Sequence, residues 1–386
     1  MAVISTLVPI SNLVDKMNIG FDAKRAFLNA SGLGNYSRTV IKALVNTFPQ
    51  HNYSLFTPKK SKSLFSEFIS KHKNASIILP KGIINENLSS RWRSYGITKQ
   101  LTGSDVYHGL SNELPFNINK YKGKKIVTIH DLIFLRHPKL YPLIDRKIYN
   151  KKFRSACELA DTIIAVSEQT KKDIIESYKI KPKKIEVVYQ SCDDVFYKER
   201  SSEEVNKIKA KYKLPPNYLL SVGTIEERKN LLTIVKALKE VKDIPLVVIG
   251  KKKAYFKKVQ EFIAKEKLGK RVLFLENGPT EDIPAIYSGA DIFIYPSLME
   301  GFGIPIIEAL TCKTPVITSK DGCFVEAGGY DSSYIDPLNA EQLAKEINAL
   351  LSSPAKRKEM SEKGFEYSKK FLPANIANEL MKVYSA

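Results

Sequence analysis

The chain has 386 residues, enough for two ordinary domains with separate cores, and its 43% hydrophobic and 10% aromatic content is that of a globular protein. It contains no run of 18 or more apolar residues, which excludes a bilayer-spanning helix. A formal charge of +20 points to an anionic partner or a heavily solvated surface, and four cysteines (Cys157, Cys192, Cys312, Cys323) without C-x-x-C spacing argue for a reduced, cytoplasmic protein without structural zinc.

From the N-terminus, Met1 to Lys16 lacks the basic start and unbroken apolar core of a signal peptide and reads as an extension outside the fold or a misassigned start. The first convincing strand is Asn18 to Asp22. Apolar strand-like runs then recur at 52–56, 76–79, 105–108, 126–130, 162–166, 185–189, 218–222, 245–250, 272–275, 291–295 and 315–318. Helical patterns lie between most of them, at 35–48, 145–160, 168–178, 230–241, 254–268, 281–289 and 339–352. Such alternation predicts parallel sheets covered by helices on both faces. A weak boundary at Gln190 to Lys213 divides the chain near residue 195 into two doubly wound domains, with a ligand expected in the cleft between them.

Several segments of the first half carry groups suited to chemistry. Ser31-Gly32-Leu33-Gly34-Asn35-Tyr36 is a glycine loop entering a helix; a ligand loop and an ordinary helix entry fit it equally. Residues 59–93 hold eight Lys or Arg against two Glu, with Leu64, Phe65, Phe68 and Ile69 at helical spacing and Trp92 beyond. This stretch reads as a segment for an anionic membrane surface, against the plainer reading of a solvated lysine-rich face. His130-Asp131 directly follows the strand Lys125 to Ile129, where a histidine is commonly structural but can also bond a sugar hydroxyl; His108 is a weaker candidate of the same kind.

In the second half, Ser221 to Asn230 follows the strand Tyr218-Leu219-Leu220. Arg228 and Lys229 stand at a helix start, where the dipole disfavours cations, and suit a diphosphate clamp, Arg as a planar fork and Lys as a point charge. Residues 251–271 hold nine Lys or Arg against two Glu. Gly278-Pro279 is a turn able to frame a nucleotide base, or a plain turn. The most informative segment runs from Glu300 to Glu308. Its two glycines let backbone approach a ligand, Pro305 suits the first helical turn, and the free amides there face an anion. The plainer reading has Glu308 complement the helix dipole and leaves Glu300 solvated.

Together these residues resemble a known family. Asp282 to Tyr287, Ala290-Asp291, Tyr295-Pro296-Ser297, Glu300-Gly301-Phe302-Gly303, Glu308-Ala309 and Thr314-Pro315-Val316 look like the donor-binding half of retaining glycosyltransferases of family 4. The likeness extends from Asn18 over nearly the whole chain, leaving out the first sixteen residues and 59–100. It implies an α/β GT-B fold, two Rossmann-like doubly wound domains facing a central cleft. Residues 1–195 would form the acceptor-side domain, 196–370 the nucleotide-sugar domain, and 371–386 a helix packing back on the first. The catalytic residues so implied are His130, Arg228, Lys229 and Glu300. Gly32, Gly34, Gly223, Gly278, Gly301, Phe302, Gly303, Ile304 and Glu308 would bind the donor, Glu308 at the ribose and Glu300 at the sugar, with no metal and no cofactor.

The resemblance further implies retaining transfer of a hexose from a nucleoside diphosphate, GDP-mannose first, to a hydroxyl of a glycan or lipid-linked glycan precursor at the cytoplasmic face of the membrane. A sugar-nucleotide epimerase of the same architecture is the alternative; a basic nucleic-acid-binding protein is a third class, but no nucleic-acid motif is present. Two departures stand out: Thr224 follows Gly223 where many relatives have arginine, and Lys313 stands where glycine is common.

Overall fold

The computed structural model describes residues 15–81, 88–275 and 278–386; positions 1–14 of the expected N-terminal extension lie outside the described residues. The chain forms two compact units. One comprises the chain up to Val166 with Thr170–Tyr189 and Pro373–Ala386, the other Ser167–Gln169 and Gln190–Leu372.

Among the described residues the first unit has a seven-stranded sheet: β1 (Asn18–Asp22), β2 (Asn52–Phe56), β3 (Ala75–Ile78), β4 (Val106–Gly109), β5 (Lys124–Ile129), β6 (Thr162–Ala165) and β7 (Ile185–Val187), in the order β3-β2-β1-β4-β5-β6-β7. Every pairing is parallel. Parallel neighbours need crossovers, and the crossover helices cover both faces, so β4 is buried at all four positions. On one face the Gly32–Thr47 helix buries Val40, Ile41 and Leu44 against β1 and β2. The C-terminal helix Pro373–Ser385 adds Ile376, Leu380 and Met381 to that core. On the other face Trp92, Ile97, Tyr107 and Phe153 pack together.

A buried polar chain fastens the C-terminal helix to this sheet. Tyr36 Oη and Thr128 Oγ1 are 3.0 Å apart, His108 Nε2 is 2.7 Å from the same hydroxyl, and His108 Nδ1 is 2.7 Å from Tyr384 Oη. Burial lowers the His108 pKa to about 3, with His130 acting in the same direction, so the ring is neutral. Both its nitrogens are engaged within the core, which makes His108 a structural residue.

Of the apolar residues of 59–93, Phe65, Ile69 and Trp92 belong to the core, while Leu64 is 75% and Leu88 49% exposed. Phe65 and Ile69 of the Leu64–Ser70 helix are buried, Phe65 edge-on to Phe27 at 5.0 Å, and Trp92 is buried on the opposite face. Arg93 is also interior, paired with Asp22 at 2.6 Å and Glu113 at 3.0 Å. An amphipathic helix packed on a sheet carries the same spacing as one lying on lipid, and the sequence does not separate them. Residues 82–87 of this stretch lie outside the described residues.

The second unit has, among its described residues, β8 (Leu219–Val222), β9 (Leu246–Ile249), β10 (Val272–Leu275), β11 (Ile292–Tyr295), β12 (Val316–Ser319) and β13 (Ser333–Ile335), all parallel, in the order β10-β9-β8-β11-β12-β13. The order reverses between β8 and β11, the switch point at which open α/β sheets bind ligands. Three-residue β13 and the largely polar helix Pro354–Ser368 give no periodic signal and were not expected from the sequence. Lys313 has φ +55°, just past the Ile304–Thr311 helix, so a left-handed position that favours glycine is filled by lysine.

Replacing Tyr384 by Phe leaves His108 Nδ1 without its buried partner. The expected loss is about 1–3 kcal/mol of unfolding free energy by urea denaturation, and an unchanged midpoint would show that the polar chain does not hold the C-terminal helix.

Candidate active site

The site of the second unit is built at the carboxyl ends of β8 and β11. Gly223, just after β8, has φ +145°, a backbone region closed to side-chain-bearing residues. Gly250, just after β9, packs so closely that a Cβ there would lie 1.8 Å from the Gly223 carbonyl oxygen. The strand ends converge beneath a small, open pocket lined by Gly223, Thr224, Lys229, Val248 and Tyr295, among others. A single 3₁₀ turn, Glu227–Lys229, then leads to Asn230 at φ +58°. Its Nδ2 donates to the carbonyls of Pro296 at 3.1 Å and Pro337 at 2.6 Å, which ties this turn to the loop after β11.

That turn delivers two cations to one carboxylate. Arg228 Nη1 lies 2.5 Å from Glu300 Oε2, and Lys229 Nζ lies 2.5 Å from Glu300 Oε1. Tyr295 Oη donates to Oε1 at 3.0 Å and Ser297 Oγ to the same oxygen at 2.7 Å; Lys229 Nζ also bonds Tyr295 Oη. Burial works against ionising Glu300, but Lys229 and Arg228 outweigh it and hold the carboxyl at about 2. Lys229 lies below its usual value because burial exceeds what a carboxylate shared with Arg228 gives back. Both shifts have one cause: a single carboxylate does not neutralise two enclosed cations. Glu226, 2.8 Å from Arg228, is itself shared with Lys253 at 2.6 Å. The cluster is thus an incompletely neutralised cationic site, suited to a further anion.

The loop after Glu300 places the second carboxylate. Phe302 is buried edge-on against Phe371 at 5.6 Å, so its side chain anchors the loop and only its backbone faces outward chemistry. Gly303, φ +129°, caps the Ile304–Thr311 helix, whose first turn contains Pro305. Glu308 lies on that helix, where Tyr287 Oη donates to its Oε2 at 2.8 Å. Burial pushes the Glu308 carboxyl up to about 7, against the Tyr287 hydrogen bond.

Two family models tile this chain: Glycosyltransferase Family 4 over residues 30–195 and Glycosyl transferases group 1 over residues 202–367. The chain belongs to the family 4 glycosyltransferases. The first match includes 59–100, a segment expected to lie outside the resemblance. Among curated relatives, O-antigen chain mannosyltransferase B of Escherichia coli is 26% identical over 285 residues, 72% of this chain and 74% of that protein. O-antigen chain mannosyltransferase RfbU of Salmonella typhimurium is 28% identical over 55% of this chain and 56% of its own length. Among solved structures, HepE of Anabaena superposes with a TM-score of 0.76 at 16% identity, covering 96% of this chain and 99% of the other. A glycosyltransferase of Rickettsia africae does so at 0.74 and 22% identity, over 96% and 98%. The fold of the transferase is GT-B.

Of the residues expected from sequence, the fold brings Gly223, Arg228, Lys229, Glu300, Gly301, Phe302 and Gly303 onto adjoining loops of the second unit, and Ile304 and Glu308 onto the helix that follows. Gly278 belongs to that unit too, but its lack of a side chain answers to packing, since a Cβ would meet Tyr212 Oη at 2.4 Å. Gly32, Gly34 and His130 belong to the first unit. Gly34 is explained by a close approach, with a Cβ there 2.0 Å from the Asn29 carbonyl oxygen; at Gly32 a Cβ meets nothing within 4 Å. His130 sits at the carboxyl end of β5 with Nε2 2.9 Å from the Leu110 carbonyl, edge-on to Tyr36 at 4.5 Å. Burial lowers its pKa to about 4, so it is neutral; because a carbonyl only accepts, the proton is on Nε2 and Nδ1 is left as an acceptor.

Tyr295, Ser297 and Tyr287 were not singled out as site residues by sequence. The position of Tyr295 and Ser297 at a strand end pointed toward a site, but nothing in the sequence pairs Tyr287 with Glu308, twenty-one residues on. A second ionic cluster, Asp22–Arg93–Glu113–Lys152, stands at the carboxyl ends of the first sheet and was likewise missed.

Since Glu308 has a folded pKa of about 7 against an ordinary 4.5, the folded transferase holds this proton more tightly than the unfolded chain, and ionisation costs stability as pH rises from 4.5 through 7. Glu308→Gln is expected to raise thermal stability by about 1–3 kcal/mol above neutrality, with the gain fading toward pH 4.5. A difference that stays constant across a pH series of melting curves would remove this titration from Glu308.

Proposed function

We propose that the enzyme transfers mannose from GDP-mannose to a hydroxyl of a lipid-linked cell-surface glycan precursor at an anionic membrane face, with retention of anomeric configuration and without a metal. The observation that carries the reading is the convergence of Arg228 and Lys229 on the single carboxylate of Glu300 at the switch point of the second sheet. A departing nucleoside diphosphate develops about two negative charges, and an under-neutralised pair of cations stabilises them without reorganising. HepE, of like fold, was crystallised with UDP and glucose, which supports a nucleoside diphosphate as the leaving group here. The mannosyltransferase names of the O-antigen relatives support mannose and a glycan acceptor.

In this reading the diphosphate takes up the surplus charge of Arg228 and Lys229 and the free amides at the start of the Ile304–Thr311 helix. Glu308 accepts hydrogen bonds from the ribose hydroxyls, with Tyr287 fixing its orientation. Glu300 Oε1 already receives Lys229, Tyr295 and Ser297, so its main task is to hold the cations, and Oε2, which receives Arg228, is the less crowded oxygen and keeps a lone pair for the sugar. His130 Nδ1 accepts from a sugar hydroxyl. The acceptor attacks from the face the leaving phosphate departs, and that phosphate takes the acceptor's proton.

Lys229→Ala is expected to lower turnover by about 10²–10³ while the protein still melts cooperatively, measured as nucleotide release from GDP-mannose with acceptor present. Release in the absence of any acceptor, or wild-type turnover in the variant, would overturn the reading. In thermal-shift titrations GDP at about a hundred times its dissociation constant should add about 2.7 kcal/mol, with UDP and ADP adding less at equal concentration.

A further inference from the structure

The helix Leu143–Leu159 of the first unit has two apolar faces, and only one is used. Phe153, Ala156 and Cys157 are buried, with Phe153 edge-on to Phe134 at 5.3 Å. On its first two turns Leu143 is 67%, Ile144 73% and Ile148 46% exposed, and Leu140, just before the helix, is 41% exposed. At about 100° per residue Leu143, Lys147 and Lys151 form one stripe, and Ile144 and Ile148 form the stripe beside it. Among the described residues Lys139, Lys147 and Lys151 make no ion pair, and Asp145, the acid nearest in sequence, falls on the other side of the helix. Isolated surface leucines need no account, but clustered aliphatics on a helix already packed on its opposite face mark a contact.

We infer that the start of this helix is a docking surface for an anionic lipid bilayer, its aliphatic side chains entering the interface and its lysines meeting the headgroups. The charge chooses the occupant: a stripe of lysines flush with the aliphatics opposes a second copy of a chain of charge +20 and complements acidic lipid. The same helix carries Lys152, whose Nζ lies 3.1 Å from Glu113 Oε2 in the cluster at the carboxyl ends of the first sheet. At 1.5 Å per residue, Ile148 and Leu143 lie about 6 and about 14 Å along the helix from that lysine. Lipid bound there would bring its headgroups to the edge at which open sheets take ligands. The inference rests on the reading of a lipid-linked acceptor for its purpose. It places a membrane contact at residues 139–151, apart in sequence from the stretch 59–93.

The test is flotation of the purified full chain with vesicles of phosphatidylglycerol and phosphatidylethanolamine, and with vesicles of phosphatidylcholine alone. The wild type is expected to float with the anionic vesicles and far less with phosphatidylcholine. The triple variant Leu143→Ser, Ile144→Ser, Ile148→Ser should lose at least about tenfold in partitioning with an unchanged melting temperature, because the replaced side chains are exposed. Lys147→Glu with Lys151→Glu should lose at least about fivefold for each lysine, on anionic vesicles only. A wild type that does not float, a triple variant that floats as the wild type does, or a lipid-free dimer abolished by the triple variant would each overturn the inference. None of these measurements uses donor or acceptor, so their failure is distinct from failure of the transferase reading.

Discussion

The second unit depends on one shared carboxylate. Glu300 receives Arg228 on one oxygen and Lys229, Tyr295 and Ser297 on the other, joining the loop after β8 to the loop after β11. Two buried cations left side by side without it would repel each other at a cost of several kcal/mol, so the arrangement exists only while that carboxylate is ionised. Its low pKa states the same condition. The binding capacity comes from what the carboxylates do not do: Glu300 and Glu226 set two negative charges against the three positive ones of Arg228, Lys229 and Lys253, which leaves the site biased toward an anion before any ligand arrives.

The sheet order is what makes this meeting local. β8 and β11 are far apart in sequence but hydrogen-bonded neighbours, and the connections that leave them run to opposite sides of the switch point. The loops at that reversal are therefore next to each other, and the glycines at Gly223, Gly250 and Gly303 let their backbones close in. The first unit repeats the device with different chemistry. Its switch lies between β1 and β4, and Asp22, at the end of β1, holds Arg93 there together with Glu113.

Charge and apolar surface change meaning once the fold is known. The basic aromatic stretch at 59–93 yields Phe65, Ile69 and Trp92 to the core, and Arg93 becomes an interior ion-pair partner. The aliphatics that do face solvent together belong to a helix whose sequence looks unremarkable, because its exposed and buried stripes are both apolar and blur the amphipathic pattern.

The sequence by itself determined the class of fold, most strand positions within one or two residues, and the segments that carry the second unit's site. Those are local properties: apolar runs of strand length, glycines at strand ends, and a proline and carboxylate at a helix start all act within a few residues. It did not determine which charges meet. That Glu300 binds Arg228 and Lys229, that Tyr287 bonds Glu308, that Gly34 and Gly278 are glycines for packing, and that His108 is locked inside while His130 keeps an acceptor nitrogen, all depend on neighbours from other strands. Tertiary structure decided these because burial sets both the strength of a charge and the faces left to solvent, and burial follows from how the elements pack together, which no single segment specifies.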